Sequence, residues 1–206
     1  MKDFILVIVI GFCVGWLALL PAKSIGVAIT PFLVAGLVVG LSLFAPFALF
    51  LVKLLGKKWK VFEEFGKFAA VGTLNTLIDI GVLNALMITT GITAGIGFSG
   101  FKAISFVAGT TNSYFWNKFW TFQNKLPVSV SQYVRFLLFT LVGTGINVGV
   151  ASLLVNGIGA PDGISASLWA NISALIAVFT AMMWNFLSYK KIVFKGSAQK
   201  SELGGE

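Results

Sequence analysis

Two sets of side chains in this chain have the types and spacing to do chemistry. Gly72, Asn75, Thr76 and Asp79 stand at i, i+3, i+4 and i+7, so a helix through them carries all four on one face. Ser105, Gly109, Asn112, Ser113 and Trp116 make a comparable face further along, Gly143 and Asn147 mark a third, and Ala177, Ala181, Asn185 and Ser188 a fourth. Faces of small residues and amides can converge on a polar cleft that hydrogen-bonds a polar head group. The alternative is that the amides join helices, contributing about 0.6 to 2 kcal/mol each. The second set is basic and aromatic: Lys67, Lys118, Arg135 and Lys190, with Lys191, near Trp116, Trp120 and Tyr189. Such a rim can hold an anion, Arg by two parallel N–H bonds. It is also what the bias of basic residues towards the inner face of a membrane would produce.

The elements that carry these residues must be membrane helices. Of 206 residues 57% are hydrophobic and 11% charged, too apolar for a soluble domain, in which about 25% of residues carry charge. There is no histidine and one cysteine, which excludes a His-based triad, a His-ligated metal, a Cys cluster and an internal disulfide. No nucleophile–base pair or metal motif appears, so the chain reads as a non-enzyme without a cofactor. Six stretches are apolar enough to span, about 4–20, 27–52, 67–90, 102–122, 136–156 and 168–189. The first ends at Pro21 and reads as a retained helix, because Lys2 is cancelled by Asp3 and no small-x-small cleavage site follows. The second is overlong, and Pro31 and Pro46 predict a kink or tilt. Asp79 is the one acid expected deep in the bilayer, where a bare carboxylate costs about 2.5–3.5 kcal/mol. It must be protonated, paired or facing a wet cavity.

The fold class expected is all-α, a polytopic bundle of about six spans with both termini cytoplasmic. That arrangement places thirteen of the fifteen Lys and Arg inside and leaves Lys23 and Lys102 outside. The formal charge of +8 therefore reflects topology and not nucleic-acid binding. A shift of 72 residues superimposes Asn75 on Asn147, Asn84 on Asn156, Lys118 on Lys190 and Phe122 on Phe194. Two two-helix repeats, 64–123 and 135–195, thus form a four-span domain over 61–195. Both copies enter from the same side, so the repeat is parallel. A two-span extension, 1–60, precedes them, and a polar, flexible tail, 196–206, follows. In the extension, Gly11-x-x-x-Gly15 and Gly36-x-x-x-Gly40 are small-xxx-small faces suited to close packing.

Lys67-Phe68, Gly72, Asn75 and Asp79, then Asn112 and Asn117-Lys118-x-Trp120-Thr121-Phe122, resemble the GtrA-like membrane proteins. Arg135-Phe136, Asn147, Asn185 and Tyr189-Lys190-x-x-x-Phe194 read as the second half of that pattern. The second copy departs by carrying Ala151 where the first has Asp79, and by one extra helical turn between Phe136 and Asn147. The resemblance implies a part in moving polyprenyl-phosphate-linked sugars for cell-surface glycans. A similar unit is fused to some polyprenyl-phosphate mannose synthases. On that reading Asn75, Asp79, Asn112, Asn147 and Asn185 would meet the sugar, and Lys67, Lys118, Arg135 and Lys190 the lipid phosphate. The function expected is a translocase in the cell membrane whose partners are the lipid-linked sugar, membrane lipids, a glycosyltransferase and a second copy in a homodimer. The alternative is a non-transporting scaffold for the glycosyltransferase. An ion exporter using Asp79 fits the amide stripe and basic rim less well.

Overall fold

The computed structural model describes residues 2–24 and 27–195; the expected tail, 196–206, lies outside the described residues. Among the described residues every regular element is helical. In chain order these are α1 (Lys2–Leu17), a short α2 (Leu19–Ser24), α3 (Pro31–Gly56), α4 (Lys60–Thr90), α5 (Gly95–Trp116), α6 (Val130–Ser152) and α7 (Ala166–Ser188). The last three run on into π-helical turns, Asn117–Thr121, Leu153–Ile158 and Tyr189–Val193.

Local chemistry explains the boundaries. The first helix ends at Leu17 and not at Pro21, because a proline four residues on has no N–H for the Leu17 carbonyl. Pro31 does not kink the second span. It starts the helix, with Thr30 capping the N-terminus by accepting the Leu33 N–H at 3.2 Å. Pro46 lies inside α3, which continues through it. Gly91, at φ 72°, closes α4 by donating its N–H to the Met87 carbonyl. Ser129 and Ser165 cap α6 and α7 through the N–H groups of Gln132 and Leu168.

Each of the six expected stretches coincides with a helix. Four are long and apolar enough on their own to cross a bilayer: Pro31–Gly56, Lys60–Thr90, Val130–Ile158 and Ala166–Val193. The other two fall short for different reasons. The 16 residues of α1 rise only about 24 Å against a hydrocarbon core of about 30 Å. Along α5 the apolar run is interrupted by Lys102, Ser105, Thr110, Thr111, Asn112 and Ser113.

The chain divides into two compact units, Met1–Gln123 and Asn124–Glu206. In the first, α1 lies on α3 and both pack with α4 around Val7, Ile10, Val14, Leu49, Val71, Leu74 and Trp120. Gly11 and Gly15 permit this approach. A Cβ on Gly11 would collide with the Leu41 carbonyl oxygen, and one on Gly15 would lie 2.6 Å from the Val38 Cα. Gly36 and Gly40 have nothing within 4 Å of such a Cβ, so among the described residues of this unit the second small-xxx-small face is not a packing seam.

In the second unit α6 and α7 form an antiparallel hairpin. Phe136 stacks against Tyr189 with ring centroids 4.2 Å apart, and the Tyr189 hydroxyl is 2.6 Å from Thr140 Oγ1. Asn124 Nδ2 donates to the Phe194 carbonyl and Gln132 Nε2 to that of Val193, both at 3.1 Å, so the chain entering α6 is tied to the end of α7.

The π-helical turns after α5 and α7 stand at the 72-residue offset read from the sequence. In each, the phenylalanine N–H reaches back five residues, from Phe122 to the Asn117 carbonyl at 2.9 Å and from Phe194 to that of Tyr189 at 2.8 Å.

Candidate functional site

The polar faces of α4 and α5 meet. Gly109 sets the separation, because a Cβ there would stand 3.0 Å from the Asn75 carbonyl oxygen and 3.4 Å from Asp79 Cβ. At this close approach Asn112 Nδ2 donates to Asn75 Oδ1 at 2.6 Å. Along the same seam Asp79 accepts hydrogen bonds on both carboxylate oxygens, from Ser105 Oγ on one and Lys102 Nζ on the other. Asp79 is thus paired, one of the three states open to a carboxylate at that depth. The pair is not sealed: the side chains of Asp79 and Lys102 are 23% and 47% exposed. A hydroxyl-bearing ligand can reach both charges without first breaking into a packed core.

Lys102 stands out only once the helix is seen. Counted by topology it stood at the outer edge of its span, but α5 begins at Gly95 and so places Lys102 two turns inside the helix. Its spacing to Ser105, Gly109 and Asn112 (i, i+3, i+7, i+10) is the signal that extends the polar face to it.

A second polar centre sits at the opposite end of α4, about 18 Å along the helix from Asp79. Here α1 contributes Asp3, whose Oδ2 lies 2.8 Å from Lys53 Nζ and 3.0 Å from Lys67 Nζ. Trp120 Nε1 donates to Oδ1 at 3.0 Å. Glu63, one helical turn before Lys67, takes the same ammonium at 2.9 Å. Burial alone would push the Asp3 carboxyl up, but hydrogen bonds from Lys53, Lys67 and Trp120 outweigh it and hold the group well below the usual carboxylate range. Asp3 therefore does more than offset Lys2 in the sequence, and Lys53 and Glu63 join the centre with it. Lys67, expected at the lipid phosphate, is 2% exposed and engages the carboxylates of Asp3 and Glu63.

The remaining expected residues are placed as follows. Lys118 is fully buried, with its ammonium 5.8 Å from the Phe119 ring centroid. Arg135 is exposed at the start of α6, and Lys190 is half-buried with its ammonium 5.9 Å from the Phe186 ring. Asn185 faces Gly143 so closely that a Cβ there would overlap its amide, and its Oδ1 is buried without a hydrogen bond. Asn147 is half-buried, and among the described residues of its unit its side-chain amide has no hydrogen bond. The structure thus joins Asn75 to Asn112 and Asp79 to Lys102 and Ser105, whereas Asn147 and Asn185 are not bonded to each other.

Comparison with known proteins covers this region. The family model described as "GtrA/DPMS, transmembrane domain" matches residues 67–194. The uncharacterised membrane protein YngA of Bacillus subtilis (strain 168) is 33% identical over 135 residues, 66% of this chain and 82% of that protein. No solved structure matches. The matched segment contains both polar faces of the α4–α5 seam and the basic–aromatic helix ends. The chain is a polytopic helical membrane protein and belongs to the GtrA/DPMS transmembrane-domain family.

Proposed function

We propose that this protein is a translocase for polyprenyl-phosphate-linked sugars in cell-surface glycan synthesis. It would act in the cell membrane with both termini cytoplasmic, without catalysis and without a cofactor. The observation that carries this reading is the Asp79–Lys102–Ser105 cluster, half open and continuous with the Asn75–Asn112 bond inside the family-matched segment. A carboxylate, an ammonium, a hydroxyl and two amides on one seam can exchange hydrogen bonds with sugar hydroxyls while the polyprenyl chain stays in hydrocarbon. Passage then requires two conformations with different affinities for the head group. A second copy completing a homodimer would widen a narrow groove.

The test is reconstitution of the purified chain into liposomes with a labelled polyprenyl-phosphate sugar, followed by measurement of label accessible from each leaflet. Exchange should rise with protein and fall to the protein-free level in Asp79→Ala. Exchange unchanged by wild-type protein overturns the reading.

The second reading, a membrane anchor for a glycosyltransferase, is supported by the family description itself, which joins GtrA to the transmembrane domain of DPMS. Under it, the liposome assay shows no exchange and the protein co-purifies with a sugar transferase.

A further inference from the structure

The first two long helices precede the family-matched segment, yet they close around two of its residues. Lys67 and Trp120 present an ammonium and an indole N–H to one point, and α3 adds the ammonium of Lys53. The group at that point is a carboxylate carried there by α1. Next to it, an apolar groove of about 390 Å³ is walled by α1, α3 and α4 and lined by Val7, Ile10, Leu41 and Phe44. Lys67 and Trp120 line this groove as well as holding Asp3, so the anion site and the apolar channel are continuous.

We propose that this is the binding site of one phosphate-headed lipid, with a hydrocarbon chain in the groove and the phosphate at Lys53, Lys67 and Trp120, while Glu63 keeps its place on another N–H of the Lys67 ammonium. Asp3 is then a tethered counter-anion that fills the phosphate position until lipid displaces it. Carboxylate and phosphate oxygens accept the same short charge-assisted N–H bonds, so either anion satisfies these donors. The tether favours Asp3 over any free anion, because its effective concentration at the site is in the millimolar range. An amphiphile has a second source of affinity that inorganic phosphate lacks, the burial of its chain in the groove. The groove is lined mostly by α1 and α3, and the proposal does not depend on the translocation reading.

The test uses the full chain in detergent micelles, with dioleoyl phosphatidic acid as probe, dioleoylglycerol as the same chains without phosphate, and inorganic phosphate as the head alone. Asp3→Asn should bind phosphatidic acid about tenfold more tightly than wild type, because the competitor is gone while the shape is kept. Dioleoylglycerol affinity should not change, and wild type should not retain inorganic phosphate. In the Asp3→Asn background, Ala48→Phe, which fills the groove, should weaken phosphatidic acid binding about tenfold. Equal affinity of wild type and Asp3→Asn, or equal binding of phosphatidic acid and dioleoylglycerol, overturns the proposal. A measurement on unaltered protein guards against misfolded variants: phosphatidic acid should speed hydrogen exchange in the second turn of α1, whose N–H groups are the first to bond within the helix. Unchanged or slower exchange there also overturns it. None of these readouts involves transport, so a failed translocation assay leaves them standing.

Discussion

The hairpins α4–α5 and α6–α7 show what one sequence pattern does with and without charge. At the 72-residue offset, Asp79 and Lys102 of the first correspond to Ala151 and Ala174 of the second. Both members of the ion pair are replaced together, and Ser105 corresponds to Ala177. The first hairpin is stitched by an amide pair and a carboxylate that accepts from two donors. The second relies on Phe136 against Tyr189, the Thr140–Tyr189 bond and close packing at Gly143. A membrane hairpin therefore does not need an ionic seam to form. A half-open charge pair present in only one of the two hairpins is better explained by ligand contact than by stability.

Converting the first hairpin to the second tests that explanation most severely. Asp79→Ala alone leaves Lys102 without its partner and should destabilise the protein by about 2.5–3.5 kcal/mol, the cost of a lone charge in the bilayer. Asp79→Ala with Lys102→Ala should recover most of that, measured as a double-mutant cycle of unfolding in mixed micelles. Translocation should stay lost in the double variant. A double variant that translocates normally would reduce the pair to structural glue.

The reverse graft should have a smaller effect. Ala151→Asp should destabilise the second hairpin, and adding Ala174→Lys should restore about 1 kcal/mol if the helix spacing alone suffices for pairing. Restoration equal to the whole loss would mean that the two hairpins present equivalent seams. No restoration would mean that the close approach at Gly109 is specific to the first.

The two glycines separate further in kind. Gly109→Ala presses on the Asn75 carbonyl and on Asp79, which are held by the backbone and by the ion pair, and should cost about 1–2 kcal/mol. Gly143→Ala meets first the end of the Asn185 side chain, whose Oδ1 has no hydrogen bond to keep it in place. Its cost should be below about 1 kcal/mol and should vanish in Gly143→Ala/Asn185→Ala, read from thermal unfolding.

What could be read from the sequence follows helix geometry. Positions i, i+3, i+4 and i+7 share a face whatever surrounds the helix, so Asn75 and Asp79, and likewise Ser105 and Asn112, were placed together before any fold was known. Which face meets which is a matter of packing between helices, and there the sequence was silent. Lys102 was read at the outer edge of its span because a topology count cannot see that Gly91 and Gly95, both at positive φ, close a short turn and start α5 early. Of two similar small-xxx-small faces, only Gly11 and Gly15 are used, since the choice depends on the approach of α3 as a body. Asp3 beside Lys2 suggested local cancellation, whereas the fold carries it to Lys53 and Lys67 from distant helices.

The smallest expected effect is the most informative about the second hairpin. Asn75 and Asn147 stand 72 residues apart, but Asn75 accepts from Asn112 while the residue 72 positions after Asn112 is Trp184, whose indole N–H goes to the Phe139 carbonyl at 3.3 Å. Asn75→Ala removes a side-chain pair and leaves Asn112 unmatched, so it should cost about 1 kcal/mol. Asn147→Ala removes a half-buried side-chain amide that has no hydrogen bond among the described residues of its unit, and its effect on unfolding should lie within about 0.5 kcal/mol. An amide kept in a membrane helix without a structural bond is free to bind a ligand. If Asn147→Ala leaves stability unchanged and still slows translocation, the second hairpin contributes to head-group recognition through that residue. If it alters neither, recognition belongs to α4 and α5, and the asymmetry of charge between the hairpins is also an asymmetry of function.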